Sequence, residues 1–206
     1  MNIINSIDTS IFNFINTGLS NVVLDYLMPI FHNPVNPITF IFLLLLFFIS
    51  FKKSTRKKLL NYSLPNKSKI NGTLIISCLL ISVLITDQIG GFIKDFKIRE
   101  RPWVQKTIND MNCLVCKTNE KKIYQSGGSK KSMPSNHSAN AISIAFITSL
   151  FFPKFKILTY LFALIIMFSR VYIGVHYPAD IIIGGTIGLL CSILVGKLVI
   201  LYLKKP

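Results

Sequence analysis

The chain has 206 residues, 51% of them hydrophobic, with a formal net charge of +15 and a mean hydropathy of +0.54. That combination argues against an ordinary soluble domain and fits a membrane protein with basic ends and loops. In chain order, residues 3–31, "IINSIDTSIFNFINTGLSNVVLDYLMPIF", mix Ile, Phe and Leu with Asn, Ser and Asp. They read as an amphipathic helical segment at the membrane interface, with a sixth span as the alternative. The opening residues lack the basic n-region and small-residue cleavage site of a signal peptide, so nothing removable is expected there.

Apolar runs near the roughly 20 residues that a bilayer requires follow at about 36–51, 70–93, 138–152, 157–175 and 179–203. The third run is short and spans only if the polar "SAN" at its start is buried in protein. The expected fold is all-α: a polytopic membrane helix bundle of about five transmembrane helices, forming a single domain over residues 1–206.

Lysine and arginine set the expected orientation. Lys52, Lys53, Arg56, Lys57, Lys58, Lys67 and Lys69 fill the first inter-span loop without an acidic residue. Lys154 and Lys156, then Lys204 and Lys205, mark two further segments on the same side, which the positive-inside rule makes cytoplasmic. The N-terminus and the 94–137 segment then face outward. That outer segment is itself crowded with Lys94, Lys97, Arg99, Arg101, Lys106, Lys117, Lys121, Lys122, Lys130 and Lys131. Basic residues on that side call for an anionic ligand, simple solvation of a long loop being the plainer alternative.

Three short motifs share this face: "KDFKIRERP" (94–102), "PSNH" (134–137) and "SRVYIGVHYPAD" (169–180). His137 and His176 are the side chains best suited to proton transfer near neutral pH. Asp180 follows His176 by four residues, and Pro178 suits the first turn of a helix. A carboxylate at the third helical position can reach back as in a capping box. There it would hold one imidazole nitrogen and leave the other free to attack. Lys94, Arg101 and Arg170 offer charge and forked donors to phosphate oxygens. Ser135 is the expected N-cap of the third span, where free N–H groups favour phosphate. Each piece alone is weak, since a lone arginine near a membrane is often a snorkelling anchor. Ionisable residues at membrane depth are nonetheless costly and usually functional, and here three groups converge.

These residues resemble the type 2 phosphatidic acid phosphatase family, whose signature is Lys-x6-Arg-Pro, then Pro-Ser-Gly-His, then Ser-Arg-x5-His-x3-Asp. The first and third parts match without exception, while Asn136 stands where the family usually has glycine. The resemblance implies a metal-independent lipid phosphatase without cofactors. In it His176 attacks phosphorus, Asp180 orients His176, and His137 protonates the leaving oxygen and then activates water. Lys94, Arg101, Ser135, Arg170 and the backbone of Asn136 would hold the phosphoryl oxygens. The expected partner is a membrane lipid phosphate, with no nucleic acid. Undecaprenyl diphosphate is the first choice of substrate by general likeness of size and topology. Phosphatidylglycerophosphate, phosphatidic acid and lipid A phosphates stay open, and a non-catalytic lipid-phosphate binder or transporter is the alternative of another class. Soluble haloperoxidases share the signature, but so little soluble mass argues against them. Outside the signature, Cys113 and Cys116 form "CLVC", with a local disulfide or free thiols both open. Gly184, Gly185 and Gly188 read as a close helix-packing surface.

Overall fold

The structure is a computed structural model that describes residues 3–32, 37–105, 111–119, 122–124 and 129–205. Helix α1, Ile3–Asn13, runs into a π-helical turn, Phe14–Gly18, and α2, Val22–Leu27, ends in a 3₁₀ turn, Met28–Phe31. Neither piece is among the helices long and apolar enough to cross a membrane, which fits the interfacial reading of this segment. The segment is amphipathic, and two of its polar side chains are among those that turn inward. Asp8, Phe12 and Asn16 face the protein, whereas Ile7, Ile11, Phe14, Val22 and Val23 are exposed. Asn16 Nδ2 donates to the carbonyls of Asn112 (2.6 Å) and Tyr172 (2.7 Å), and Asn112 N–H donates back to Asn16 Oδ1.

Helix α3, Pro37–Phe51, is apolar, and α4, Lys53–Leu59, is its basic continuation, bent by 96° at the break. Arg56 closes the corner by donating to the Ser50 carbonyl at 2.7 Å. Helix α5, Gly72–Asp95, starts at Asn71, whose side chain accepts from Leu74 N–H at 2.8 Å. The short α6, Pro102–Gln105, and an antiparallel hairpin, β1 Lys117–Asn119 with β2 Lys122–Tyr124, lie in the connection to α7, Asn136–Phe151. Helices α8, Lys156–Tyr172, and α9, Pro178–Lys204, complete the bundle. Among the described residues, three helical stretches are long and apolar enough to cross a membrane, Gly72–Asp95, Pro153–Tyr172 and Pro178–Lys204, and a fourth if the bent pair counts as one. The expected count of five therefore includes α7, which at 16 residues is only about 24 Å long. It lies at the centre of the bundle against α5, α8 and α9. Ser138 and Ala139 of its polar start are buried, as a short span requires.

Small residues let α9 reach α7. A Cβ placed on Gly184 would run into the Ser135 carbonyl, and one on Gly188 into the Ala139 carbonyl. The packing role expected for these glycines holds for both, and Gly185 instead faces Met167 of α8. At the end of the bundle away from the three motifs, Ile75, Leu79, Ile147, Phe151, Val195 and Val199 form a continuous apolar core. Gly188→Ala should lower stability by about 1–3 kcal/mol, because backbone cannot yield as a side chain does. Gly91→Ala, which meets nothing within 4 Å, should not. Thermal unfolding of the two variants in detergent checks this.

Candidate active site

The third motif forms the turn between α8 and α9. Pro178 opens α9, Tyr177 is the N-cap and Asp180 is the third helical residue. Asp180 Oδ2 accepts from Tyr177 N–H at 2.8 Å and from the Ser132 hydroxyl. His176 Nδ1 lies 3.4 Å from that same oxygen and 3.3 Å from Ser132 Oγ. The expected carboxylate–imidazole pairing is therefore present, with Ser132 bridging it. Both partners engage Nδ1, which leaves Nε2 as the free nitrogen of an imidazole that lines a cavity.

Ser132 arrives there through backbone pairing. Arg101 N–H donates to the Lys130 carbonyl (2.9 Å) and Ser132 N–H to the Arg99 carbonyl (2.8 Å), around the bridge between Glu100 and Lys131. This ladder joins the first motif to the residues just before the second. Ser135 N–H then donates to the Asp180 carbonyl at 3.0 Å, joining the second motif to the third. A further layer closes the site from behind. Asp8 of α1 accepts from Ala179 N–H at 2.8 Å and pairs with Arg99, whose guanidinium lies 3.6 Å over the Tyr177 ring and 3.8 Å from Asp180 Oδ1.

Lys94, Arg101, Asn136, His137 and His176 line one cavity of about 530 Å³. Its remaining wall is largely apolar, with Leu43 of α3, Val83 of α5, Ile144 of α7 and Ile166 of α8. Arg170 is buried at the end of α8 and donates from Nη1 to His32 Nδ1 at 2.7 Å. An arginine only donates, so His32 Nδ1 must be the unprotonated nitrogen. Burial, then Arg170 and Arg101, lower the His32 pKa to about 4, in keeping with that neutral form. The His32 ring stacks parallel to His137 with centroids 6.5 Å apart. Arg170 Nε and His137 Nε2 are both buried with no hydrogen-bond partner among the described residues.

Two residues of the second motif depart from simple phosphate binding. The Ser135 hydroxyl is buried and caps α7, accepting from Ser138 Oγ (3.0 Å) and more loosely from Ser138 N–H (3.4 Å). The Asn136 amide points across to α5, where Nδ2 donates to Asp87 Oδ1 at 2.9 Å. It fits because residue 90 is glycine, since a Cβ there would stand 2.6 Å from Asn136 Oδ1. The Asn136 N–H, at the first position of α7, has no carbonyl to bond within the helix.

His32, Ser132, Asp8 and Arg99 are absent from the sequence-derived site. Arg99 carried a signal, being one of the basic residues on the unexpected face, while the other three had none in their local pattern. Cys113 and Cys116 are joined as a disulfide, Cα–Cα 5.4 Å, with Cys78 and Cys191 free and buried. Lys106, Lys121 and residues 125–128 of the outer segment lie outside the described residues. Among those described, no three His, Cys, Asp or Glu side chains gather as a metal cage.

Fold and site together define a polytopic membrane protein built around a pair of imidazoles and several cations in a cavity with an apolar wall. The sequence profile of the PAP2 superfamily matches residues 71–201, and the chain belongs to that family. It is 34% identical over 163 residues, 78% of its length, to the lipid A 4'-phosphatase of Porphyromonas gingivalis, of which it spans 59%. Over a shorter stretch of 64 residues, 31% of this chain and 32% of the other, it is 38% identical to the bacitracin transport permease protein BcrC of Bacillus licheniformis. Its fold is that of Aquifex aeolicus LpxE, with a TM-score of 0.63, 23% identity and coverage of 92% and 94% of the two chains. It is also that of the first transmembrane PAP2-type phosphatidylglycerolphosphate phosphatase from Bacillus subtilis, with a TM-score of 0.59, 23% identity and coverage of 96% and 87%.

His176 lies outside the spans, and burial, then Arg101 and Arg170, hold its pKa well below the ordinary imidazole value. The neutral form therefore persists as pH falls through 6.5. Imidazole NMR signals in detergent should show no His176 titration near that pH. Arg101→Gln, which removes the charge that opposes protonation most after burial, should raise the midpoint. A midpoint near 6.5 in the unaltered chain would contradict this electrostatic picture.

Proposed function

We propose that the chain is a membrane lipid phosphatase that works through a phosphohistidine on His176. The observation that carries this reading is the convergence of His137, His176, Lys94 and Arg101 on one cavity whose other wall is apolar. The cations and the Asn136 N–H receive the phosphoryl oxygens, and the apolar wall takes the chains of a lipid. Arg170 Nε, buried without a partner, is a further donor for the same group. Ser135 acts mainly as the cap that orients α7.

In the first step neutral His176 Nε2 attacks phosphorus and the ester P–O bond breaks, while His137 delivers a proton to the leaving oxygen. In the second, water attacks the phosphoryl group, His137 takes its proton, the N–P bond breaks, and inorganic phosphate leaves with His176 neutral again. Asp180 and Ser132 hold Nδ1 and balance the positive charge that the ring gains in between. Protein cations carry the charge neutralisation, so the reading is metal-independent. The relative named for lipid A supports a lipid A-type phosphate as substrate; undecaprenyl diphosphate, phosphatidylglycerophosphate and phosphatidic acid belong in the same test panel.

Phosphate release from that panel tests the reaction. His176→Ala should abolish both turnover and any covalent label. His137→Ala should lose about 10²- to 10⁴-fold on alkyl phosphates and much less on an aryl phosphate, whose leaving oxygen needs little protonation. Activity should survive a chelator. Label trapped on the His176→Ala protein, or activity restored only by a divalent ion, would defeat the mechanism.

The site belongs on the outer face of a bacterial plasma membrane in this reading, supported by the basic segments at the opposite end of the bundle. Cysteines introduced for Lys57 and Lys130 decide it. In intact cells an impermeant maleimide should label position 130 and spare position 57, and the reverse pattern would invert the topology.

A further inference from the structure

Asp87 is the carboxylate that lines the cavity beneath the histidines. It lies on α5 seven residues before Lys94, hence on the same face and about 10 Å further from the site end of the bundle. It is exposed, although it sits in a helix otherwise apolar enough to cross a membrane. An ionisable group in that setting is costly and calls for a role. Two amides of α7 converge on its Oδ1: Asn136 Nδ2 at 2.9 Å and Asn140 Nδ2 at 3.4 Å. Oδ2 remains available to a further donor.

The cavity thus has three levels. His176, His137, Lys94 and Arg101 form the first, Asp87 with Asn140 the second, and Val83, Ile144 and their apolar neighbours the third. A lipid phosphate with its phosphorus at His176 and its chains along the apolar wall must place the atoms that join them at the middle level. That level is negative and rich in acceptors. It suits hydroxyl and amide N–H groups, and it repels a second phosphate in a medium where charge is poorly screened.

We infer that Asp87, positioned by Asn136 and Asn140, is a specificity subsite that selects phosphate monoesters of hydroxyl- or amide-bearing headgroups, such as an acylated amino sugar, over lipid diphosphates. The inference rests on the phosphatase reading and narrows its substrate class. A diphosphate would bring its inner phosphate and that phosphate's charge closer to the carboxylate, and a fully acylated glycerol phosphate would offer it no donor.

The test measures kcat/KM of the purified chain in mixed micelles on three substrates: an acylated glucosamine phosphate, a polyprenyl diphosphate and phosphatidic acid. Asp87→Asn should lower the ratio of sugar phosphate to phosphatidic acid about tenfold, mainly through KM, and raise the ratio of diphosphate to phosphatidic acid several-fold. Asn140→Asp, which adds a second carboxylate at the same level, should move the diphosphate ratio the other way. If both variants change all three substrates by one factor, Asp87 is a structural residue and the subsite is wrong. Wild-type preference for the diphosphate would also overturn it. Turnover of phosphatidic acid reports the phosphatase reaction separately, so the subsite can fail while that reading stands.

Discussion

The backbones of α7 and α9 touch, and the arrangement of the site depends on that contact. Gly184 and Gly188 lie against the Ser135 and Ala139 carbonyls, where no Cβ has room. This approach allows Ser135 N–H to bond the Asp180 carbonyl at 3.0 Å, so two helix N-termini end side by side. Both bring the positive end of a helix dipole to one place, and at the start of α7 the Asn136 N–H has no carbonyl to bond within the helix. His137 is carried on the first turn of α7 and His176 on the turn before α9. A separation of the two helices by one methyl group would move one imidazole relative to the other, which position-sensitive chemistry does not tolerate.

Concentrating Lys94, Arg101 and Arg170 at such a spot is electrostatically unfavourable unless each cation finds a partner. The protein meets this with few carboxylates. Neutral His32 accepts from Arg170 without adding charge. The peptide carbonyl of Lys131 accepts loosely from Arg101 Nε at 3.3 Å. Asp180 is committed to Ser132, Tyr177 N–H and the neighbourhood of His176, while Asp8 absorbs Arg99 and one N–H of α9. The residual positive charge is therefore directed at whatever occupies the cavity, and an oxyanion is the occupant that relieves it. The same accounting explains why α1 belongs to the fold. Without Asp8, Arg99 would compete for Asp180 and weaken its hold on the imidazole.

The parts legible in the sequence were those whose chemistry contrasts with their surroundings. Two histidines, Asp180, Lys94, Arg101 and Arg170 stand out because apolar runs flank them, and alternation of spans brings them to one end. Ser132 and His32 do not stand out. Ser132 reaches Asp180 only through the ladder between residues 99–101 and 130–132, and His32 reaches Arg170 only because the 3₁₀ turn after α2 packs on α8. The orientation of the N-terminal segment is not legible for a related reason. Periodicity separates a polar from an apolar face but does not say which faces the protein. When the surrounding solvent is lipid, Asp8 and Asn16 turn inward and Ile7, Ile11 and Phe14 turn outward. Helix α7 was short in the sequence and stays short in the fold, because protein encloses it and supplies partners for its polar side chains.

Asn136 shows how a departure from a family pattern is absorbed. A side chain at that position, beside His137 and over the anion cradle, would be expected to narrow the cradle. It is instead drawn toward α5 by two features one turn apart, the carboxylate of Asp87 and the missing Cβ of Gly90. A larger residue at 90 would push the amide back toward the cavity, and loss of the carboxylate would release it. The amide is thus held against α5. The three residues form one unit across two helices, in which Gly90 makes the space, Asp87 supplies the acceptor and the Asn136 amide is held away from the proposed anion cradle. Its by-product is a negative charge in the one part of the cavity that the cations leave uncovered.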